Sequence, residues 1–265
     1  MYLDYYGLKH SPFNITCNPD FFYGSASHQE ALAALLYGVQ EKKGIILITG
    51  EVGTGKTTLC RTLLNRLPPS IKTSFILNPY FSQTQLLQAI VEDFGIKPKR
   101  RTRLSLVNEL NTFLLEVNKQ GSTATLIIDE AQNLTARQLE QVRLLTNLET
   151  AREKLLQVIL SGQPELTEKL KKTDLRQIRQ RIFVKCNLSP LKEKEVQNYV
   201  EHRLNQAGTK AVEISSESYE TIYEFSKGIP RLINMLCDRA LLCGFAKEKK
   251  TFNRKLFQTC IEELK

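Results

Sequence analysis

Two periodicities divide this chain. Through residue 187 or so, short apolar runs alternate with stretches in which apolar residues recur every three or four positions. The runs are Ile45-Ile46-Leu47-Ile48, Ser74-Phe75-Ile76-Leu77, Leu126-Ile127-Ile128 and Leu155 to Ser161. Runs of that length between turn residues predict buried strands. Ala31, Leu32, Leu35, Leu36 and Val39 predict a helix over 26–42, and Leu86, Leu87, Ile90, Val91 and Phe94 predict another that stops at Gly95. Further helices are expected over 56–66, closed by Pro68-Pro69, over 104–117, and over 136–149, where Thr135 and Gln138 have the spacing of a capping box. Strands alternating with helices imply a parallel sheet between helical layers, with ligand at the carboxyl ends of the strands. Beyond Leu188 only the helical period remains, over about 193–206, 216–227, 230–246 and 254–264. The expected organisation is an α/β core over 1–187, carrying an N-terminal segment 1–25, followed by a small all-helical domain over 188–265.

The first predicted strand runs straight into Gly50-Glu51-Val52-Gly53-Thr54-Gly55-Lys56-Thr57, which fits the phosphate-binding loop pattern G-x-x-x-x-G-K-[ST] in the strand–loop–helix context that pattern requires. Glycine tolerates positive φ, so Gly50, Gly53 and Gly55 let backbone N–H groups point at phosphate oxygens. The helix beginning near Lys56 and continuing through Thr58 adds the positive end of its dipole. Lys56 is expected to reach the β- and γ-phosphates, and the Thr57 hydroxyl to hold Mg²⁺. The third run ends in Asp129-Glu130, about 70 residues downstream. Asp129 at such a strand end is expected to complete the Mg²⁺ shell, with Glu130 as general base for the attacking water. Together the two motifs predict binding and hydrolysis of a nucleoside triphosphate.

Composition narrows the setting. Hydrophobic residues make up 42% of the 265, enough for sizeable cores, and no apolar run approaches the length of a bilayer-spanning helix. The start, Met1-Tyr2-Leu3-Asp4-Tyr5-Tyr6, has neither the basic nor the apolar block of a signal peptide. Six scattered cysteines without a C-x-x-C pair suggest reduced core thiols and a cytosolic protein, and three widely spaced histidines argue against zinc. The formal charge is +9. Residues 188–265 hold 13 basic and 11 acidic side chains, so most of the excess lies earlier, much of it in Lys97-Pro98-Lys99-Arg100-Arg101-Thr102-Arg103. That run suits nucleic acid or anionic lipid, or is simply a solvated connector. No aromatic residue interleaves it, which argues against stacking on single strands.

The element order is that of an AAA+ ATPase, and several motifs narrow the likeness. Met1-Tyr2-Leu3-Asp4-Tyr5-Tyr6-Gly7-Leu8, Ser11-Pro12-Phe13, Asn18-Pro19 and His28-Gln29-Glu30-Ala31-Leu32 resemble the start of the general secretion pathway protein A (ExeA-type) ATPases. Asp129-Glu130-Ala131-Gln132-Asn133-Leu134, Leu144 to Glu149, Gly162-Gln163-Pro164-Glu165-Leu166 and Gly228-Ile229-Pro230-Arg231 extend the resemblance through nearly the whole chain. It implies a P-loop three-layer core with a helical lid, ATP and Mg²⁺ as ligands, and ATP hydrolysis. Members of that family usually continue into a transmembrane helix and a periplasmic region, which these 265 residues do not include.

The resemblance also implies roles. Gln163 corresponds to the polar sensor 1 residue, with Ser161 the nearby alternative, and Arg231 to sensor 2 on the lid. An arginine at a helix start is unfavourable toward the dipole, which suggests an anionic partner. Arg176, Arg179 and Arg181 lie where AAA+ proteins supply an arginine finger to a neighbouring subunit. The comparison favours Arg181, then Arg179, and implies a nucleotide-dependent homo-oligomer. Phe22, Tyr23 and Gly24 are the candidate adenine neighbours. The expected role is powering an envelope secretion or export system from the cytoplasm, peripheral to the inner membrane. The alternatives are a DNA-associated ATPase of the transposition-regulator kind, which would use Lys97–Arg103 on duplex phosphates, and a nucleotide-gated interaction switch.

Overall fold

Three of the apolar runs become strands in which every residue is buried, the pattern of parallel strands covered by helices on both faces. The computed structural model describes residues 2–151, 153–208 and 211–264; Met1 of the N-terminal motif lies outside them. In chain order the elements are α1 (Tyr2–Tyr6), α2 (Ala26–Gln40), β1 (Ile45–Gly50), α3 (Lys56–Arg66), β2 (Lys72–Ile76), α4 (Gln83–Asp93), α5 (Arg103–Lys119) and β3 (Ala124–Ile128). They continue with α6 (Ala136–Leu145), β4 (Leu156–Gly162), α7 (Pro164–Leu170), α8 (Arg176–Arg179), β5 (Ile182–Leu188) and α9 (Glu193–Gln206). The last are β6 (Glu213–Ile214), α10 (Ser216–Ser226), α11 (Pro230–Ala246), β7 (Thr251–Phe252) and α12 (Arg254–Leu264).

The chain separates into two compact units. One comprises Gln29–Glu51 and Leu59–Leu188 and holds a five-stranded parallel sheet in the order β2-β3-β4-β1-β5. The register sets Ile45 beside Val158 and Leu126 beside Val158, so the carboxyl ends of β1, β4 and β3 lie side by side. Leu86, Leu87, Ile90 and Val91 of α4, Leu106, Leu110 and Leu114 of α5, and Leu139 and Val142 of α6 join alternate strand residues in its core. Capping boxes at Ser82/Gln85 and Thr135/Gln138 start α4 and α6 by satisfying otherwise orphaned N–H groups.

The other unit comprises Met1–His28, Val52–Thr58 and Ser189–Lys265. Its core joins Tyr6, Leu8, Phe13 and Phe21 to Val196, Ile233, Leu236, Phe252 and Phe257. The N-terminal segment is tied down by polar contacts too. Tyr2 donates its hydroxyl hydrogen to Asp238 (2.9 Å), and the buried Arg203 guanidinium donates to the carbonyls of Pro12 (2.5 Å) and Asn14 (3.3 Å).

Three element expectations need correction. Ile182–Leu188 is a fifth strand, unread because as an edge strand it exposes Phe183, Lys185 and Asn187 and lacks an apolar run. The helix expected to reach 149 ends at Leu145, where the Thr146 hydroxyl donates back to Arg143 O (2.7 Å) and Glu149 pairs antiparallel with Lys154. Beyond Leu188 the pattern is not purely helical, because β6 and β7 form a two-stranded parallel pair too short to show a period of two.

Candidate functional site

Gly50 is the last residue of β1, so the phosphate-loop motif leaves the sheet at its carboxyl edge. Gly53 (φ +82°) and Gly55 (φ +98°) occupy left-handed backbone that other residues rarely adopt. Space is tight there as well. A Cβ on Gly53 would lie 2.6 Å from Arg231 Cβ, and one on Gly55 would lie 3.2 Å from His28 Nε2. Lys56 opens α3 and is 6% exposed, while Thr57 and Thr58 follow half-buried in its first turn and Glu51 and Val52 are exposed.

Within the same unit, two groups hold the loop by its carbonyls. The Arg231 N–H, near the start of α11, donates to Gly53 O (3.2 Å), and His28 Nε2 lies 2.9 Å from Thr54 O. The Arg231 side chain itself is exposed. Tyr23 packs edge-on against Tyr199 (5.7 Å between centroids) and tilted against His202 (5.7 Å); burial pushes its hydroxyl pKa up. Phe22 sets its ring edge-to-face with His28 at 5.9 Å.

At the carboxyl ends of β3 and β4, Asp129 is 2% exposed and its Oδ1 accepts from the Ser161 hydroxyl (2.7 Å) and the Glu130 N–H (3.0 Å). Glu130 is half-buried and sits at φ 49°, ψ 37°, a left-handed conformation that costs on the order of 1–3 kcal/mol for a residue with a side chain. Its Oε2 accepts from Gln132 Nε2 (2.5 Å) and Gln163 Nε2 (3.3 Å). Gln132 Oε1 in turn accepts from the Gln163 N–H at 3.0 Å. Lys169 donates to the carbonyls of Gln132 and Leu134, pinning the turn after Glu130; burial holds its ammonium pKa below the usual range. The structure thus brings Asp129, Glu130, Ser161 and Gln163 into one hydrogen-bonded group.

The arginine cluster divides. Arg179 donates to Lys171 O (3.0 Å) from within α8, Arg176 is exposed, and Arg181 stands half-buried between α8 and β5. Arg181 adds to the lowering of the Glu140 and Glu149 carboxyls, which Arg143 and Lys154 chiefly hold down. The connector between α4 and α5 leaves Lys97, Lys99, Arg100, Arg101 and Arg103 exposed, with the Lys99 N–H donating to the Glu109 carboxylate.

Three residues of this arrangement lie outside the roles that the sequence motifs assign. Gln132 lies two positions after Glu130 within a quoted motif, and His28 begins another. Lys169 has no local signal at all, since its contacts depend on how α7 packs. Among the described residues no cluster of His, Cys, Asp and Glu forms a multidentate metal centre, and no helix is long and apolar enough to cross a membrane.

Residues 39–170 match the model of a family described as an AAA domain. General secretion pathway protein A of Aeromonas hydrophila is 45% identical over 248 residues, covering 93% of this chain and 45% of that protein. The chain therefore spans less than half the length of that relative. Among solved structures, the Aeropyrum pernix ORC2 protein superposes with a TM-score of 0.73 at 17% identity, over 96% of this chain and 72% of that one. Cdc6p from Pyrobaculum aerophilum gives 0.69 at 18% identity over 91% and 67% respectively. The RuvB branch migration motor of Thermotoga maritima gives 0.61 at 18% identity over 89% and 69%. At such identities these likenesses speak for the fold, an AAA P-loop core with a five-stranded parallel sheet.

Proposed function

The chain belongs to the AAA+ P-loop proteins, in the family of general secretion pathway protein A, and from that premise we propose that it is a Mg²⁺-dependent ATPase serving a cell-envelope secretion or export system. The observation that carries the ATPase reading is the loop itself. Gly53 and Gly55 hold positive φ, Lys56 is buried at a helix N-terminus, and the motif departs from the carboxyl edge of a parallel sheet. That is a cradle for phosphate.

In this reading the N–H groups of residues 51–58 and the Lys56 ammonium take the phosphates. Thr57 and Asp129 are the oxygen ligands for Mg²⁺, a donor set that suits a hard cation, and the bound ion would offset charge on the β- and γ-phosphates. Glu130 accepts a proton from the water that attacks the γ-phosphorus, and Gln163, hydrogen-bonded to Glu130, orients that water. Arg231 from the lid grips the γ-phosphate, and residues 188–265 act as that lid. Tyr23 lies beside the adenine. Arg181 reaches a neighbour's nucleotide, with Arg179 second because it is engaged by Lys171 O. The active unit is then a nucleotide-dependent homo-oligomer, working on the cytoplasmic side at the inner membrane with an envelope protein as partner.

The direct test is phosphate release from ATP in the presence and absence of Mg²⁺, followed by capture of partners with Glu130→Gln held in its ATP-bound form. Absence of Mg²⁺-dependent release would remove the ATPase reading. A second reading, a DNA-associated ATPase, draws support from the exposed basic connector at Lys97–Arg103. Steeply salt-dependent binding to duplex DNA, with assembly only on DNA, would put it first.

A further inference from the structure

His28 is buried, at 4% exposure, and it lies against the phosphate loop without belonging to the motif. Its Nε2 is 2.9 Å from Thr54 O, and its Nδ1 is 2.7 Å from Ser25 Oγ. A carbonyl oxygen only accepts, so Nε2 carries the hydrogen. In the neutral ring Nδ1 then accepts from the Ser25 hydroxyl. Burial holds the imidazole below its usual pKa, in keeping with that neutral tautomer.

The consequence follows from peptide geometry. In a trans peptide the C=O and the following N–H point in opposite directions. Arg231 N–H, by holding Gly53 O, turns the Thr54 N–H the other way. His28, by holding Thr54 O, does the same for the Gly55 N–H. Two successive peptide planes are thereby clamped from their carbonyl side, leaving their N–H groups aimed away from the clamps. The contact at Gly55 adds a steric element, since His28 Nε2 would sit 3.2 Å from a Cβ there.

We propose that His28 is a positioning residue for nucleotide binding, whose Nε2–H fixes the Thr54–Gly55 peptide so that the Gly55 N–H is pre-aimed at a phosphate oxygen. This rests on the ATP reading of the loop. It predicts a loss in affinity rather than in turnover, because the His28 ring spends its two nitrogens on Thr54 O and Ser25 Oγ and so acts through loop preorganisation.

Glutamine and asparagine separate the two halves of the imidazole. In His28→Gln the amide nitrogen can take the place of Nε2, whereas in His28→Asn the shorter amide reaches only the Nδ1 position. Affinity for a fluorescent ATP analogue, KM and kcat for ATP, and melting temperature would be measured for the parent, both variants and Lys56→Ala. The expectation is that His28→Asn raises Kd and KM about tenfold with kcat within twofold, while His28→Gln stays within about threefold of the parent in Kd, KM and kcat. An unchanged KM in a folded His28→Asn overturns the proposal, as does a His28→Gln that loses affinity to the same extent as Asn. If His28→Asn fails to fold, His28→Gln decides alone: parental affinity supports the clamp, and a tenfold loss in a folded protein overturns it. A parent that binds the analogue no better than Lys56→Ala would instead bring down the ATP reading, a result separate from either variant's.

Discussion

Ser161 donates its hydroxyl hydrogen to Oδ1 of Asp129 over 2.7 Å, with both side chains buried between adjacent strands. The Glu130 N–H donates to the same oxygen, so two protein donors converge on Oδ1 and help orient the Asp129 carboxylate. Residues that orient a metal-ligating group typically matter by about 10–100-fold in metal affinity. Ser161→Ala is therefore expected to raise the Mg²⁺ concentration for half-maximal ATP hydrolysis by about tenfold, with metal-free nucleotide binding unaltered. A Mg²⁺ titration that superimposes on the parent's would show that Asp129 does not ligate the ion or does not need Ser161.

Lys56 and Glu130 should fail differently. Lys56→Ala removes the full positive charge in the loop and is expected to abolish measurable Mg-ATP binding by calorimetry. Glu130→Gln keeps the fold and the phosphate contacts and is expected to bind ATP normally while losing turnover by about 100-fold or more. Parental hydrolysis by Glu130→Gln would exclude Glu130 as the base.

The arginine finger is tested by complementation. Specific activity should rise with protein concentration, and Arg181→Ala alone should be depressed by on the order of 10³-fold. Mixing Arg181→Ala with Lys56→Ala should recover part of the activity, since each supplies what the other lacks. A concentration-independent rate together with full activity of Arg181→Ala would rule out donation in trans.

Gly228 has a structural reason to be glycine. Its φ is +75°, and a Cβ there would fall 1.9 Å from Leu191 O, whose own N–H donates to Gly228 O at 2.8 Å. Gly228→Ala must push Leu191 away, disturbing that hydrogen bond, and adopt strained backbone, so a loss of at least about 2 kcal/mol is expected in denaturant unfolding. A midpoint equal to the parent's would contradict the geometry.

Stability should carry a pH signature of His28. Burial lowers its pKa against the opposing pulls of Thr54 O and the Glu195 carboxylate. A base lowered on folding contributes stability above its unfolded pKa and loses that contribution as pH falls through the folded value. His202, also lowered chiefly by burial, acts with the same sign. Comparing His28→Gln with the parent isolates His28: the parent's advantage in melting temperature should shrink as pH drops from about 7.5 to about 5. A difference independent of pH would mean that His28 titrates alike in the folded and unfolded chain.

Much of this molecule is written locally. The helices Glu193–Gln206, Pro230–Ala246 and Arg254–Leu264 lie where the apolar period places them, with Gly208 beyond the first, Pro230 opening the second and Asn253 ahead of the third. The Thr135/Gln138 box and the strand–loop–helix around Gly50–Thr57 are equally legible, because hydrogen bonds and side-chain facing within a few residues decide them. What the sequence by itself could not determine depends on contacts far along the chain. Ile182–Leu188 is a strand because the side of β1 away from β4 offers it unpaired backbone groups, not because of its own pattern. Arg203 finds its acceptors at Pro12 and Asn14, Lys169 finds the carbonyls of Gln132 and Leu134, and His28 finds Thr54. Each of these is a buried or half-buried donor whose partner is chosen by which apolar faces meet when the cores close. A chain read residue by residue shows that such groups must be satisfied, and only the packed structure shows by whom.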